Sequence, residues 1–346
     1  MSMLPVVLLL SVVSAALQLP LDPTHVPDQQ YIEQRKFTSP ITGESFHAPV
    51  LKSEVQAASF DYDRCPHPPF NVFAYTLVID PATGYVAYPE LFENQCPWNA
   101  ESLAEILGAP KFKRNVPESL PWTNAYPWEK FENAARLAQA AEYPSLEIAN
   151  WWILAAWSVR LDVISGSNEF DAEVAAVFER LPQRGPDPTD LLTLYELALA
   201  EQWEQLRAMG QLTDVNDAEF ALALAWLYRS RGELVPALDW LGRAALHDEQ
   251  LPEESLLYRY LQSSIELERD YLKTTRQWLL KGWNGAEVPP VQQGGTAYLL
   301  GEINRRLGDN VAAIYWYSEA ETYNRGALSP DLIKHQRALA ESRRAF

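Results

Sequence analysis

From Trp128 onward, apolar residues return every three or four positions. Phe131, Ala134, Ala135, Ala138 and Ala141 line one face of a predicted helix. Pro144-Ser145 opens a second helix that the pattern carries to Leu161. The same period predicts helices over 169–181 and 190–209, with Pro182, Gly185, Pro186 and Pro188 breaking the chain between them. Upstream the pattern changes. Asn71 to Ile79 is dense in Val, Phe, Tyr, Thr and Leu and predicts a strand, Pro81-Ala82-Thr83-Gly84 a turn, and Tyr85 to Tyr88 a second extended run. The expected fold is mainly α, with a small β-containing module over 36–95, a Pro- and Trp-rich bridge over 96–127 and a helical domain over 128–346.

Within the helical domain two stretches share one spacing. Leu224, Ala225, Tyr228, Gly232, Ala237, Leu241 and Ala244 are matched 76 residues later by Leu300, Gly301, Asn304, Gly308, Ala313, Tyr317 and Ala320. Small residues let two helices touch, large ones fill the gap, and a Gly ends the first helix. This spacing resembles the tetratricopeptide (TPR) helix pair, over about 218–247 and 294–324. The resemblance implies an α-solenoid that binds a partner rather than performing chemistry. Glu253 to Trp283 reads as a decayed repeat, Gly282 to Gly295 as a loop, and Asp331 to Arg344 as a capping helix. In the repeat register, the groove would be lined by Glu219, Leu222, Trp226 and Arg229, then Tyr298, Glu302 and Arg305. Their mixture of acid, base and aromatic groups suits a protein or peptide partner.

Charge narrows the classes further. The chain has 28 basic and 46 acidic residues in 346, net −18, which opposes nucleic acid and anionic lipid. Arg305-Arg306 and Arg343-Arg344 read as solvated helix faces. Leu4 to Leu10, Val12, Val13 and Ala16 form an apolar run shorter than the roughly 20 residues a membrane span needs. Small residues follow, so residues 1–16 are expected to be a signal peptide cleaved after Ala15 or Ala16, although no Lys or Arg precedes the run. A polar, Pro-rich linker over 17–35 comes next. These features predict a secreted or periplasmic protein with no membrane span after cleavage. In such a compartment Cys65 and Cys96 are expected to form a disulfide, worth roughly 3–4 kcal/mol in the chain-entropy model.

Ser39-Pro40-Ile41-Thr42-Gly43 and Asp80-Pro81-Ala82-Thr83-Gly84 share the skeleton of a zinc knuckle. Ser39, Thr42, Asp80 and Thr83 stand where thiolates would be needed, and hydroxyls are poor zinc ligands, so no metal is expected. The chain resembles an uncharacterised bacterial family that pairs a two-knuckle, zinc-ribbon-like region with TPR-like helices. The resemblance lies in Phe37 to Phe46, Asp61 to Phe92 with Gly84-Tyr85-Val86-Ala87, and Ala149 to Arg160, and Ala225-Trp226-Leu227-Tyr228-Arg229 repeats one of its themes. It implies a degenerate zinc ribbon beside a helical array, and no activity.

Other chemistry is sparse. Asp61, Asp63, Cys65 and His67 alternate, so an extended segment would turn them to one face, either as metal ligands or as a Pro-rich acidic loop. No nucleophile elbow, phosphate loop or HExxH motif is present, and neither a cofactor nor a catalytic residue is assigned. The twelve Trp, several near the domain junction, fill a core or stack on sugars. The leading expectation is a non-enzymatic interaction scaffold. The alternative is an extracytoplasmic carbohydrate-binding or carbohydrate-active protein.

Overall fold

The computed structural model describes residues 31–57, 59–68, 70–93, 100–108, 122, 125–161, 217–230, 232–246 and 256–344. The expected signal peptide, the helices over 169–181 and 190–209, and Cys96 lie outside the described residues. What is described is mainly helical, with a small β-containing region ahead of the helices.

That region is three short antiparallel hairpins. β1 (Ile32–Thr38) pairs with β2 (Ser45–Leu51), placing Ile32 opposite Leu51 and Thr38 opposite Ser45. It begins inside the segment expected to be linker. β3 (Ser59–Phe60) pairs with β4 (Pro66–His67), and β5 (Val78–Ile79) with β6 (Val86–Ala87). The strand expected over Asn71 to Ile79 is reduced to β5, because Phe73–Thr76 winds into a helical turn, α1. Local bonds override β propensity here. Asn71 Oδ1 accepts from the Phe73 amide at 3.1 Å, and Thr76 Oγ1 donates to the Val72 carbonyl at 2.9 Å.

The tips of β1–β2 and β5–β6 are built alike. Ser39 N–H donates to Glu44 O at 2.8 Å and Asp80 N–H to Tyr85 O at 2.7 Å, and each turn closes on a Gly at positive φ. A carboxylate ties the two turns together. Asp80 Oδ2 accepts from Ser39 Oγ at 2.5 Å and from Thr83 Oγ1 at 2.7 Å, while Oδ1 accepts from the Ala82 amide at 2.9 Å. Thr42 stays exposed and accepts only from the Glu44 amide among the described residues.

Two short helices follow, α2 (Pro89–Glu93) and α3 (Ala100–Gly108), the latter inside the expected bridge. α4 (Pro127–Ala140) packs on α5 (Ser145–Leu161) and fastens the β region. Lys130 Nζ donates to Ala74 O at 2.7 Å and Leu77 O at 3.1 Å, and Asn133 Nδ2 to Gly84 O at 3.2 Å. Burial pushes the Lys130 ammonium down to about 8.

Beyond these lie α6 (Asp217–Ser230) with α7 (Leu234–Ala245), the 29-residue α8 (Leu256–Asn284), α9 (Gln293–Arg306) with α10 (Asn310–Tyr323), and α11 (Pro330–Arg344). At 1.5 Å per residue α8 is about 43 Å long. It lies along α5 and also touches α6, α7 and α9. The segment read as a decayed repeat is thus one continuous helix. Glu287, just past its end, accepts from Ser145 N at 2.8 Å and Ser145 Oγ at 3.0 Å, capping α5.

The α6–α7 and α9–α10 hairpins turn identically. Gly232 N–H donates to Arg229 O and Glu233 N–H to Tyr228 O, both at 2.9 Å. Gly308 N–H donates to Arg305 O at 3.0 Å and Asp309 N–H to Asn304 O at 2.8 Å. Both glycines are left-handed, φ +64 and +84. The spaced positions that predicted these pairs, from Leu224 to Ala244 and Leu300 to Ala320, are buried except Gly308, which is exposed at its turn. A single hydrophobic core runs from Phe73 and Leu77 of the β region to Ala340 of α11.

Two glycines test the packing. A Cβ on Gly301 would meet the Tyr317 ring at 2.6 Å, so Gly301→Ala is expected to cost about 1–3 kcal/mol by overpacking. Gly242 lies mid-helix in α7 with nothing within 4 Å, so Gly242→Ala is expected to add roughly 0.5–1 kcal/mol. Urea midpoints moving in opposite directions would bear this out, and a shift of the same sign for both would contradict it. Asp80→Ala removes the acceptor shared by Ser39 and Thr83 and is expected to cost about 1–3 kcal/mol. EDTA is expected to leave the wild-type melting temperature unchanged, and a chelator-induced drop would count against the expectation that this junction needs no metal.

Candidate functional site

Helices α5, α6, α8 and α9 each send a charged side chain inward, and the β3–β4 turn meets them. The turn, Asp61 to Cys65, is held by Arg64 N–H to Asp61 O and Asp61 N–H to Cys65 O, both at 2.8 Å, with Arg64 at φ +70. Its alternation does turn Asp61, Asp63 and Cys65 to one buried face, while Tyr62 is exposed. What faces the carboxylates is arginine. No group of three or more His, Cys, Asp or Glu is placed to hold a metal ion among the described residues.

Arg160 of α5 is fully buried and uses all five of its N–H groups. Nη1 donates to Asp61 Oδ2 and Asp63 Oδ1, both at 2.9 Å. Nη2 donates to Asp63 Oδ2 at 2.8 Å and Glu268 Oε1 at 2.6 Å, and Nε to Glu268 Oε1 at 3.0 Å. Trp157, one turn earlier on α5, donates from Nε1 to Asp63 Oδ2 at 3.2 Å. Arg229 of α6 pairs with the other oxygen of Glu268 and donates from Nε to Ser264 Oγ at 3.1 Å.

A second set of pairs lies deeper in α9. Arg305 bridges Glu233 at 2.7 Å and Glu302 at 2.9 Å. Arg343 reaches Glu233 at 2.9 Å, and Tyr317 donates to Glu302 Oε1 at 2.6 Å. Arg306 links the two sets, 3.4 Å from Asp63 and 3.7 Å from Glu302. The corner at Gly232 closes over this link, where a Cβ would strike the guanidinium groups of both Arg160 and Arg306. Tyr298 of α9 donates to the Tyr62 carbonyl at 2.8 Å, fixing the turn from the other side.

The electrostatics follow from the pairing. Burial alone would raise the Asp63 carboxyl, but Arg160 and Arg306 hold it well below the usual carboxylate range. Glu233 is held low in the same way, burial opposing and Arg305, Arg343 and Arg306 prevailing. Arg160 and Arg305 are pushed up by their carboxylates against the opposing effect of burial. The Cys65 thiol is free, buried and pushed up, chiefly by burial. Its expected partner, Cys96, lies outside the described residues.

The expected groove is corrected by this geometry. Leu222, Trp226, Arg229, Tyr298, Glu302 and Arg305 are all buried, and the side chain of Glu219 lies outside the described residues. Trp226 packs against Tyr260 rather than facing solvent. Helical register predicts which residues turn toward the neighbouring helix layer, but not what meets them there: α8 at Trp226 and Arg229, the β3–β4 turn at Tyr298, and Glu233 and Tyr317 at Arg305 and Glu302. Arg305 and Arg306, read as a solvated face, are 2% and 1% exposed, paired inward with Glu233 and Glu302 and with Asp63 and Glu302. Sequence reasoning missed Arg160, Glu233 and Glu268 altogether. The one signal pointing here was the alternation through Asp61 and Asp63.

Arg160→Ala would take the shared cation from three buried carboxylates, leaving Glu268 with Arg229 and Asp63 with Arg306, and is expected to cost about 3–5 kcal/mol. Asp63 faces Arg160 and Arg306, with Asp61, Glu268 and Cys65 nearby, and its folded pKa is depressed, as is that of Glu233. Their contribution is therefore complete above the unfolded carboxylate range near 4 and is lost as pH falls through the folded values. The urea midpoint is expected to fall steeply between pH 5 and about pH 3, and an unchanged midpoint over that range would contradict the assignment.

Residues 189–342 match the model of a family described as "Uncharacterized protein conserved in bacteria (DUF2225)". The match covers under half of the chain. It takes in Arg229, Glu233, Glu268, Glu302, Arg305 and Arg306, and stops short of Arg160 and the β3–β4 turn. No curated protein and no solved structure matches the chain.

Proposed function

We propose that this protein is a non-enzymatic scaffold that holds a protein or peptide partner, and that its helix hairpins are TPR-like units. The observation that carries the reading is the β3–β4 turn itself. Arginines from different helices already grip the two carboxylates of a short peptide segment, Asp61 and Asp63. The matching Gly turns and the buried small residues of α6–α7 and α9–α10 support the repeat reading. The linked turns at Ser39 and Asp80 likewise support a zinc ribbon whose metal has given way to hydrogen bonds.

Secretion or residence in a periplasm is the location that fits the apolar N-terminal run. No described helix is long and apolar enough to cross a membrane. The carbohydrate alternative drew on Trp, yet Trp122, Trp152, Trp226, Trp240 and Trp316 are buried, and no Trp among the described residues is exposed. Burial of that kind favours the scaffold.

The full-length protein, tagged at its C-terminus in its own cells and cross-linked before lysis, is expected to retain a defined protein partner and to bind no glycan on an array. The isolated protein should begin at Ala16 or Leu17. Saturable glycan binding would overturn the scaffold reading, and an intact Met1 would overturn export.

A further inference from the structure

The ion-paired cluster divides unequally between its two sources. The helical array and its turns supply Arg160, Arg229, Arg305, Arg306 and Arg343 against Glu233, Glu268 and Glu302. Taken alone, these groups carry a formal charge of +2. The β3–β4 turn brings Asp61 and Asp63, which neutralise it. Arg64, half-buried in the same turn, joins none of these ion pairs among the described residues. The array thus presents donors for two carboxylates two positions apart, and the chain fills that site with its own turn.

The turn is also lightly anchored. β3 and β4 are two residues each. Residues 52–57 before the hairpin form no helix or strand. Within 59–67, Cys65 is the member of the hydrophobic core among the described residues. Phe60 and Tyr62 lie outward, 48% and 45% exposed, and the Tyr62 ring approaches only the rim of the array, 6.1 Å from His335 of α11. Besides the Tyr298 bond to the Tyr62 carbonyl and the buried Cys65, the segment is held by its two carboxylates, and a competitor of the same charge pattern meets the same donors.

We infer that the Arg160–Arg306 site is a docking site for an acidic turn of a partner protein, with two carboxylates two positions apart, which takes the site by displacing the β3–β4 hairpin. The proposal rests on the scaffold reading and names its partner chemistry. Asp61 and Asp63 then act as a ligand in cis that keeps the site neutral until the partner arrives. Arg160 provides the bidentate contact, Trp157 the indole donor, and Arg306 the second cation.

The test uses the full chain. In the Asp61→Ala/Asp63→Ala variant the cis carboxylates are gone. A fluorescent synthetic peptide covering residues 59–67, with Cys65→Ser, is titrated by anisotropy. The expected result is binding roughly tenfold or more tighter to the variant than to wild type, weakened by salt, and abolished when both Asp in the peptide are Asn. The peptide should also raise the variant's melting temperature, since a ligand of the folded state alone stabilises it. If the variant is unfolded without peptide, recovery of helical circular dichroism on adding it becomes the readout.

Absence of binding by a folded variant, or of recovery by an unfolded one, overturns the proposal. A melting temperature raised by inorganic phosphate but not by the peptide also overturns it, assigning the site to a small dianion. So does self-association of the variant without peptide binding, which assigns it to a second copy. Any of these results, alongside a protein captured by the wild-type chain, sinks the acidic-turn assignment and leaves the scaffold standing. Peptide binding with no captured protein and saturable glycan binding does the reverse.

Discussion

All five N–H groups of Arg160 are shared among Asp61, Asp63 and Glu268, and this guanidinium is where the separate parts of the chain become one structure. Asp61 and Asp63 belong to the β3–β4 turn, Arg160 to α5 and Glu268 to α8. Through Glu268 the contact continues to Arg229 on α6, and through Asp63 to Arg306 on α9. Every one of these side chains is withdrawn from water, so none can be left unpaired without a cost of several kcal/mol. The β region is therefore not a module hung on a helical array. It supplies counter-ions that the interior of the array lacks.

The same dependence runs the other way. The three hairpins have little hydrophobic interior of their own, with Phe37, Val50 and Val78 as their separate cluster. Their stability comes from α4, whose Lys130 and Asn133 satisfy backbone carbonyls of α1 and the second turn, and from Trp122, whose ring fills the space against Gly84. Asp80 joins the two tips beside that small cluster.

Helical periodicity placed α4, α5, α6, α7, α9, α10 and α11 to within a few residues, because one apolar face per helix is what a layered helical fold requires. The Gly turns at 232 and 308 were legible for a similarly local reason. The site was not legible. Trp226 and Arg229 meet α8, and Tyr298 and Arg306 meet a turn some 230 to 240 residues earlier in the chain, and no periodicity encodes what covers an outward position. The alternation from Asp61 to Cys65 did indicate one common face. Composition could not choose its counter-ion, because carboxylates suit a metal and an arginine equally well. The strand expected at Asn71 failed on an opposite scale, to a single side-chain acceptor that bends the chain into α1.

Replacing buried ion pairs by well-packed apolar side chains often leaves a protein as stable or more so, which makes the cluster a weak explanation of stability. It is a stronger explanation of arrangement. An apolar interface between α5, α8 and α9 would tolerate sliding by a fraction of a turn. A guanidinium with five directed bonds does not, because each displaced donor would lie buried without an acceptor. Gly232 gives the same message in steric form, since its corner can close only where Arg160 and Arg306 leave room for a bare Cα. The helices are thus registered against one another by charge, and the last two charges needed to complete that register come from a surface hairpin. The neutrality of this interior therefore depends on an element at its edge, and the inferred exchange of that hairpin for a partner's acidic turn would act on the two charges that complete the register.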